Sequence, residues 1–279
     1  MSGIWADRQL PERDEIFIDH VGYFVADLEA AGAQLERLGF RVSLTNVQTN
    51  ADAKGELKPS GTSNRLARLP RGFLEILAAT HDTPLADRFK LGLARYSGLH
   101  LIAFSADDIP AQRARLTEAG FAMQPVVELR RRDKTLPGNP AVHFSVVRPQ
   151  RGVMAEGRIQ WVKPHTPDTV WVWRPEWTTT ENGAGGLIDI LLCVDDPAAV
   201  YGRYLGRAPI TRGGSQVIEL ERGGIVFADR DAAGRMLPDF HPPSPPFMAG
   251  QALRADLSLT RAVLVKNGIT SSRCSQAPT

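Results

Sequence analysis

Short apolar runs alternate along the chain with helical patterns, and the alternation repeats. Residues 18–28, IDHVGYFVADL, read as a strand closing on an Asp, and residues 98–109, GLHLIAFSADDI, read the same way. Each run leads into a stretch with apolar residues three and four apart, LEAAGAQLERLGF and IPAQRARLTEAGF, ending in Gly-Phe at Phe40 and Phe121. That spacing predicts an amphipathic helix. An Asp ahead of each helix offers an oxygen to the unpaired first-turn amides, and Gly39 and Gly120 suit the left-handed conformation that ends a helix. Placing His20 over His100 also superposes Phe24 on Phe104 and Asp27 on Asp107.

Two weaker copies follow. Residues 187–197, LIDILLCVDDP, carry Asp196 in the same place before a short helix that stops at Gly206, and QALRADLSLTRAVLVKNGI repeats strand, helix and stop at Gly268. Between these features lie paired strand signals at 64–69 and 72–78, at 141–147 and 157–162, and at 216–220 and 224–228. Self-similarity of this kind marks a repeated supersecondary unit, here βαβββ with its last strands in a hairpin. One such unit cannot bury its sheet face alone. The expected fold is therefore α+β: two units side by side as a curved eight-stranded half-barrel with a concave cleft at 16–165, and a second domain at 184–270. Only ITSSRCSQAPT follows Gly268, so the second domain is expected to be incomplete: degenerate, cut short or frame-shifted at its end, or with its open sheet covered by another copy, which makes a homodimer one expectation.

Composition narrows the function. With 279 residues, 43% hydrophobic and 23% charged, the chain has an ordinary globular make-up. Its 33 basic and 31 acidic side chains leave a formal charge of +2, too small a surplus for an electrostatic nucleic-acid binder. Arg130, Arg131, Arg132 and Lys134 form a basic cluster read as a solvated loop. Cys193 lies in an apolar run and Cys274 in a polar tail, which implies no disulfide framework. Without an apolar leader core or a run approaching the ~20 residues of a membrane span, the expectation is a cytoplasmic protein with a small-molecule substrate and neither a nucleic-acid nor a membrane partner.

The segments DHVGYFVADL with its following Leu-Gly-Phe, GTSNRL (61–66), GFLEIL (72–77) and GLHLIAF (98–104) resemble the vicinal oxygen chelate superfamily, and within it the glyoxalase-like domain proteins. The resemblance covers 16–165 closely and 184–270 more loosely. It implies the fold more than the reaction, because the superfamily spans isomerases, epimerases, ring-opening dioxygenases, thiol transferases and metal-free binding proteins. It also implies four cleft-facing positions, on the first and last strand of each unit, which here are His20, Glu75, His100 and Gln160. Two imidazoles and a carboxylate suit a divalent metal such as Zn, Ni, Co, Mn or Fe. Gln160 replaces the commoner carboxylate, so Glu75 becomes the expected proton-abstracting base.

A histidine on an apolar strand is more often a packed core residue, and Arg65 is the metal-free partner expected for an inward Glu75. Asn64 and Arg65 are expected to hold a substrate carboxylate, and His143 to act as an acid or base. His81, His165 and His241 read as surface. In the third unit Asp189 stands at the His position and Val226 or Phe227 at the Glu position, which argues against a metal there. The expected function is a metal-dependent lyase or isomerase acting on a small oxygenated substrate. The alternatives are an Fe(II) ring-opening dioxygenase and a metal-free binding protein.

Overall fold

The computed structural model describes residues 8–51, 56–132, 138, 141–166, 174–237, 240–241 and 243–269. Lys134 and Cys274 lie outside them. The first unit runs β1 (Phe17–Phe24), α1 (Leu28–Arg37), β2 (Asn46–Ala51), β3 (Leu57–Arg68) and β4 (Phe73–Ala79), then a connecting helix α2 (Pro84–Leu93). The second runs β5 (Gly98–Ser105), α3 (Ile109–Glu118), β6 (Val127–Arg132), β7 (Ala141–Val147) and β8 (Arg158–Pro164). After the short α4 (Pro175–Thr178), a third unit comprises β9 (Gly186–Cys193), α5 (Pro197–Leu205), β10 (Ile210–Arg212), β11 (Ser215–Glu219) and β12 (Gly224–Phe227). The helix α6 (Arg230–Met236) leads to β13 (Phe247–Arg254) and α7 (Leu257–Lys266).

The first two units form one eight-stranded sheet in the order β2-β3-β4-β1-β5-β8-β7-β6, and the rest a five-stranded sheet in the order β10-β11-β12-β9-β13. β1 and β5 meet antiparallel at the centre, each flanked by a parallel last strand, β4 or β8. This is the expected curled half-barrel beside a smaller sheet. The helices start as their caps dictate: Asp27, Asp196 and Asp256 accept first-turn amides, and Gly39, Gly206 and Gly268 turn left-handed after the last turn. For α3 the cap is Asp108, directly before Ile109; its side chain accepts from the Ala111 amide. The arginines at 130–132 stand on strand β6 rather than in a loop, because they pair with β7 from Arg130↔His143 to Arg132↔Ala141.

One apolar core runs from the first sheet into the second. It joins Ile18, Ile102, Phe104 and Trp161 to Ile190, Tyr201, Tyr204 and Ile225. Trp161 is fully buried, with Phe104 at 5.3 Å and Tyr204 at 5.9 Å between ring centroids. Each large apolar side chain so enclosed contributes roughly 1.5–3 kcal/mol. Two polar groups at this seam are paired: the Tyr201 hydroxyl donates to the Glu156 carboxylate, and buried Arg222 donates to the carbonyls of Arg8 and Gln9 while lying over the Phe17 ring. Cys193 is buried, where loss of solvent pushes its thiol pKa up.

Candidate active site in the cleft

The pairing of β1 with β5 slips twice. It passes from Ile18↔Phe104 to His20↔Ala103, leaving Asp19 as an extra residue, and from Gly22↔Leu101 to Tyr23↔Leu99, leaving His100 as the extra residue opposite. Such bulges re-aim a side chain that strict alternation would send to the other face. They also fix the true equivalence of the two units. Asp27 and Asp108, Gly39 and Gly120, and Phe40 and Phe121 each stand 81 residues apart. The ladders agree, since His20 pairs with Phe73 as Leu101 pairs with Arg158. Leu101 therefore occupies the second-unit place of His20, and His100 that of Asp19.

At the first bulge Asp19 Oδ1 lies 2.6 Å from His20 Nδ1. A proton on Nδ1, donated to this carboxylate, leaves Nε2 as the free acceptor of the ring. The imidazole is stacked on Phe73 at 4.3 Å, and its Nε2 faces Glu75 Oε2 at 4.0 Å and the Gln160 amide nitrogen at 3.4 Å. Glu75 Oε1 accepts from Asn64 at 2.6 Å and from Gln48 at 3.4 Å, which leaves Oε2 turned towards His20. Gln160 Oε1 accepts from Arg148 Nε at 2.9 Å. Half-buried Arg158, two residues before Gln160 on β8, has its pKa lowered by desolvation, an effect that the nearby Glu75 charge opposes.

These groups line a cavity of about 930 Å³, within the usual size for a small-molecule site. Six arginines line it, Arg88, Arg95, Arg130, Arg148, Arg151 and Arg158, against three carboxylates, Asp19, Glu75 and Glu128. The balance favours an anionic guest.

Of the expected site residues, His20, Glu75, Gln160 and Asn64 come together. His100 does not join them. It is 2% exposed, lies between the rings of Phe24 and Tyr96 at 4.8 and 3.9 Å, and bonds the Tyr96 carbonyl through Nε2 at 2.7 Å. Burial pushes its pKa down. Arg65 faces the other side of β3: it binds Glu29 and Glu36 of α1 at 3.0 and 2.9 Å and the Ser43 carbonyl at 2.8 Å. Alternation explains the correction, because Asn64 and Leu66 share the face of Glu75 while Arg65 pairs with Ile76. His143 likewise lies outside the cavity that its neighbours Val142 and Phe144 line, and bonds Glu128 instead. Asp189, at the His20 place of the third unit, is bound to Arg212 at 2.7 Å.

The cleft donors do not fit the expected metal centre. A three-ligand site needs His, Cys or carboxylate groups with an open position left over, and here His20 and Glu75 are joined only by an amide whose oxygen Arg148 already engages. Leu101 takes the fourth place, and the Arg158 guanidinium near Glu75 and Arg148 on Gln160 supply positive charge where a cation would bring it. Among the described residues, the three-residue group whose ligand atoms all lie within 4.8 Å is Glu128, His143 and His165, not the cleft set. Sequence reasoning missed Asp19, which alternation alone sends away from His20. It also missed Arg158, which the period of two from Gln160 would have found.

A family model described as a glyoxalase-like domain matches residues 18–207. Among solved structures, a hypothetical protein from Staphylococcus aureus is similar with TM-score 0.60 and 10% identity, over 78% of this chain and 87% of its own. A mutant of 4-hydroxymandelate synthase from Streptomyces coelicolor is similar with TM-score 0.53 and 18% identity, over 91% of this chain and 75% of its own. A Streptomyces coelicolor methylmalonyl-CoA epimerase variant aligns over 55% of this chain and 99% of its own, with TM-score 0.38 and 19% identity. No curated protein matches the chain significantly. Among the described residues no helix is long and apolar enough to cross a membrane.

Proposed function

Since the chain belongs to the glyoxalase-like domain family of the vicinal oxygen chelate superfamily, we propose that it is a lyase or isomerase that moves a proton on a small oxygenated organic anion. The observation that carries this reading is the line Asp19–His20–Glu75, opening into a cavity rich in arginine.

In this reading Arg148 and Arg158 hold a carboxylate or carbonyl oxygen of the substrate, a planar contact for which guanidinium groups are suited. His20 Nε2 takes a proton from the carbon beside the carbonyl. The C–H pair moves onto the carbonyl oxygen, where the guanidinium charge stabilises it as the enolate forms. Asp19 on one side and Glu75 on the other stabilise the resulting imidazolium, as a buried carboxylate does in a catalytic triad. On a 2-hydroxy carbonyl substrate the hydroxyl proton passes to the former carbonyl oxygen as the imidazolium protonates the former carbonyl carbon, giving isomerisation. Where a leaving group stands on the next carbon, collapse of the enolate re-forms the carbonyl and breaks the bond to that group, which takes the proton, giving elimination. The cationic arginines stand where a metal would otherwise act as the electrophile.

The test is exchange of substrate hydrogen with deuterated solvent across a panel of 2-oxo and 2-hydroxy acids. Exchange that persists in chelator and falls about 10²–10⁴-fold in His20→Ala is the expected result. Exchange abolished by chelator and restored by Zn, Ni, Co, Mn or Fe would overturn it in favour of metal-dependent catalysis at His20 and Glu75. The bond from His20 Nδ1 to a carboxylate, usual for a metal-bound imidazole, is the observation on that side. Oxygen uptake with catechols under Fe(II) would point to ring opening instead, and ligand binding without exchange to a binding protein.

A further inference from the structure

The three outermost strands of the second unit bring together Glu128 on β6, His143 on β7 and His165 just after β8. His143 Nε2 lies 2.8 Å and His165 Nε2 3.8 Å from Glu128 Oε2, and the two rings stand 4.6 Å apart. We propose that these three side chains bind one divalent transition-metal cation of the zinc class at the β6 margin of the eight-stranded sheet, with both imidazoles outside the cleft.

Four observations support the site. Its donors are two imidazole nitrogens and one carboxylate, the set that zinc takes when it keeps an open position. Their separations are near those required, since bonds of about 2.0–2.1 Å place tetrahedral ligands roughly 3.3 Å apart. The backbone beneath them is fixed: Glu128 sits opposite Ser145 in the β6–β7 ladder, the His165 amide donates to the His143 carbonyl at 2.8 Å, and the His143 amide donates to the Thr166 hydroxyl at 2.7 Å. Finally, the Ser145 hydroxyl lies between Glu128 Oε1, to which it donates at 2.7 Å, and His165 Nε2 at 2.5 Å, the nitrogen that a metal would take from it, so it holds both groups in place.

The surroundings are compatible with a cation. A small cavity of about 140 Å³, lined in part by Asp107, Ser145, Lys163 and His165, leaves room for water or an anion as the remaining ligand. The Lys163 ammonium there is held by Asp107 at 2.8 Å, so its charge is already countered. His143 and His165 do not line the main cavity. Glu128 borders that cavity, and no step of the proton-transfer reading uses it.

The experiment uses the full chain, purified without a His-tag, stripped of metal and titrated with Co2+ and Zn2+ by visible absorption and calorimetry. One equivalent of Co2+ with a tetrahedral spectrum is expected, lost in His143→Ala, His165→Ala and Glu128→Gln and retained in His20→Ala. Deuterium exchange should be unchanged in His165→Ala. Circular dichroism of each variant separates loss of ligand from loss of fold, and Ser145→Ala should weaken binding about 10–100-fold without abolishing it. Binding of less than a tenth of an equivalent by wild type would overturn the proposal. So would one equivalent that survives His143→Ala/His165→Ala and disappears in His20→Ala, which would return the metal to the cleft.

Discussion

In the first unit the bulge places Asp19 beside His20; in the second, the equivalent bulge places His100 beside Leu101. The backbone device is the same on both sides of the cleft, yet one side presents a carboxylate-bound imidazole and the other an aliphatic side chain with a ring folded back onto Tyr96. The smaller sheet carries the device again. Its β9–β13 ladder skips Ile188 and Ala249, next to Asp189 and Gly250. The repeated geometry is thus a frame that builds a curved sheet, and the dipeptide seated at the bulge decides whether chemistry is possible there.

The sharpest way to break this comparison is to remove the two histidines in turn. His20→Ala should lower turnover about 10²–10⁴-fold, the usual worth of a positioned acid–base group. His100→Ala should leave turnover within a few-fold and instead lower stability by about 1–3 kcal/mol, because its partner carbonyl and ring neighbours are left unfilled. Equal effects on turnover would mean the two positions share one function after all. A smaller effect is expected from Asp19→Asn, which keeps the shape but not the charge: turnover should fall at least about tenfold, with KM nearly unchanged, in steady-state assays.

The smallest effect concerns the seam between the sheets. Burial raises the carboxyl pKa of Glu156, whose partner is the Tyr201 hydroxyl. A raised carboxyl pKa gives stability that is fully present below the unfolded value of about 4.3 and is lost as pH rises through the folded value. Glu156→Gln keeps an acceptor for Tyr201 without the ionisation. Its melting temperature should therefore exceed that of wild type at pH 7.5 by ~2–4 °C, the shift that 1 kcal/mol makes in a chain of this size. The gap should close by pH 4.5, as differential scanning calorimetry would show.

The units, their caps and their hairpins could be read from the chain because each rests on a local signal: the Asp before a helix, the Gly after it, the apolar alternation between. The bulges could not, since an extra residue in one strand is defined only by the partner strand. That is why His100 was matched to His20 at a spacing of 80, although Gly39 and Gly120 already stood 81 apart. Glu75, Gln160 and Asn64 can be placed on the cleft face from the sequence because alternation along β3, β4 and β8 is regular, and the same regularity sends Arg65 and His143 to the opposite face. His165 looked like loop surface, and it is exposed; its alignment with His143 arises only from the β7–β8 pairing. The helix α2 was missed although Thr83 and Pro84 open it, with Thr83 accepting from the Ala86 amide.

The sheet margins β2 and β6 escaped notice for a related reason. Their sequences, NVQTNA and VELRRR, are too polar to look like strands. That polarity suits their place. An eight-stranded sheet that does not close into a barrel ends in two rows of backbone donors and acceptors, each a template for a foreign strand. Amides along one margin and arginines along the other make such a template costly to dry, so the two outermost strands help this open fold to stay dispersed at the concentrations at which a cell would keep it.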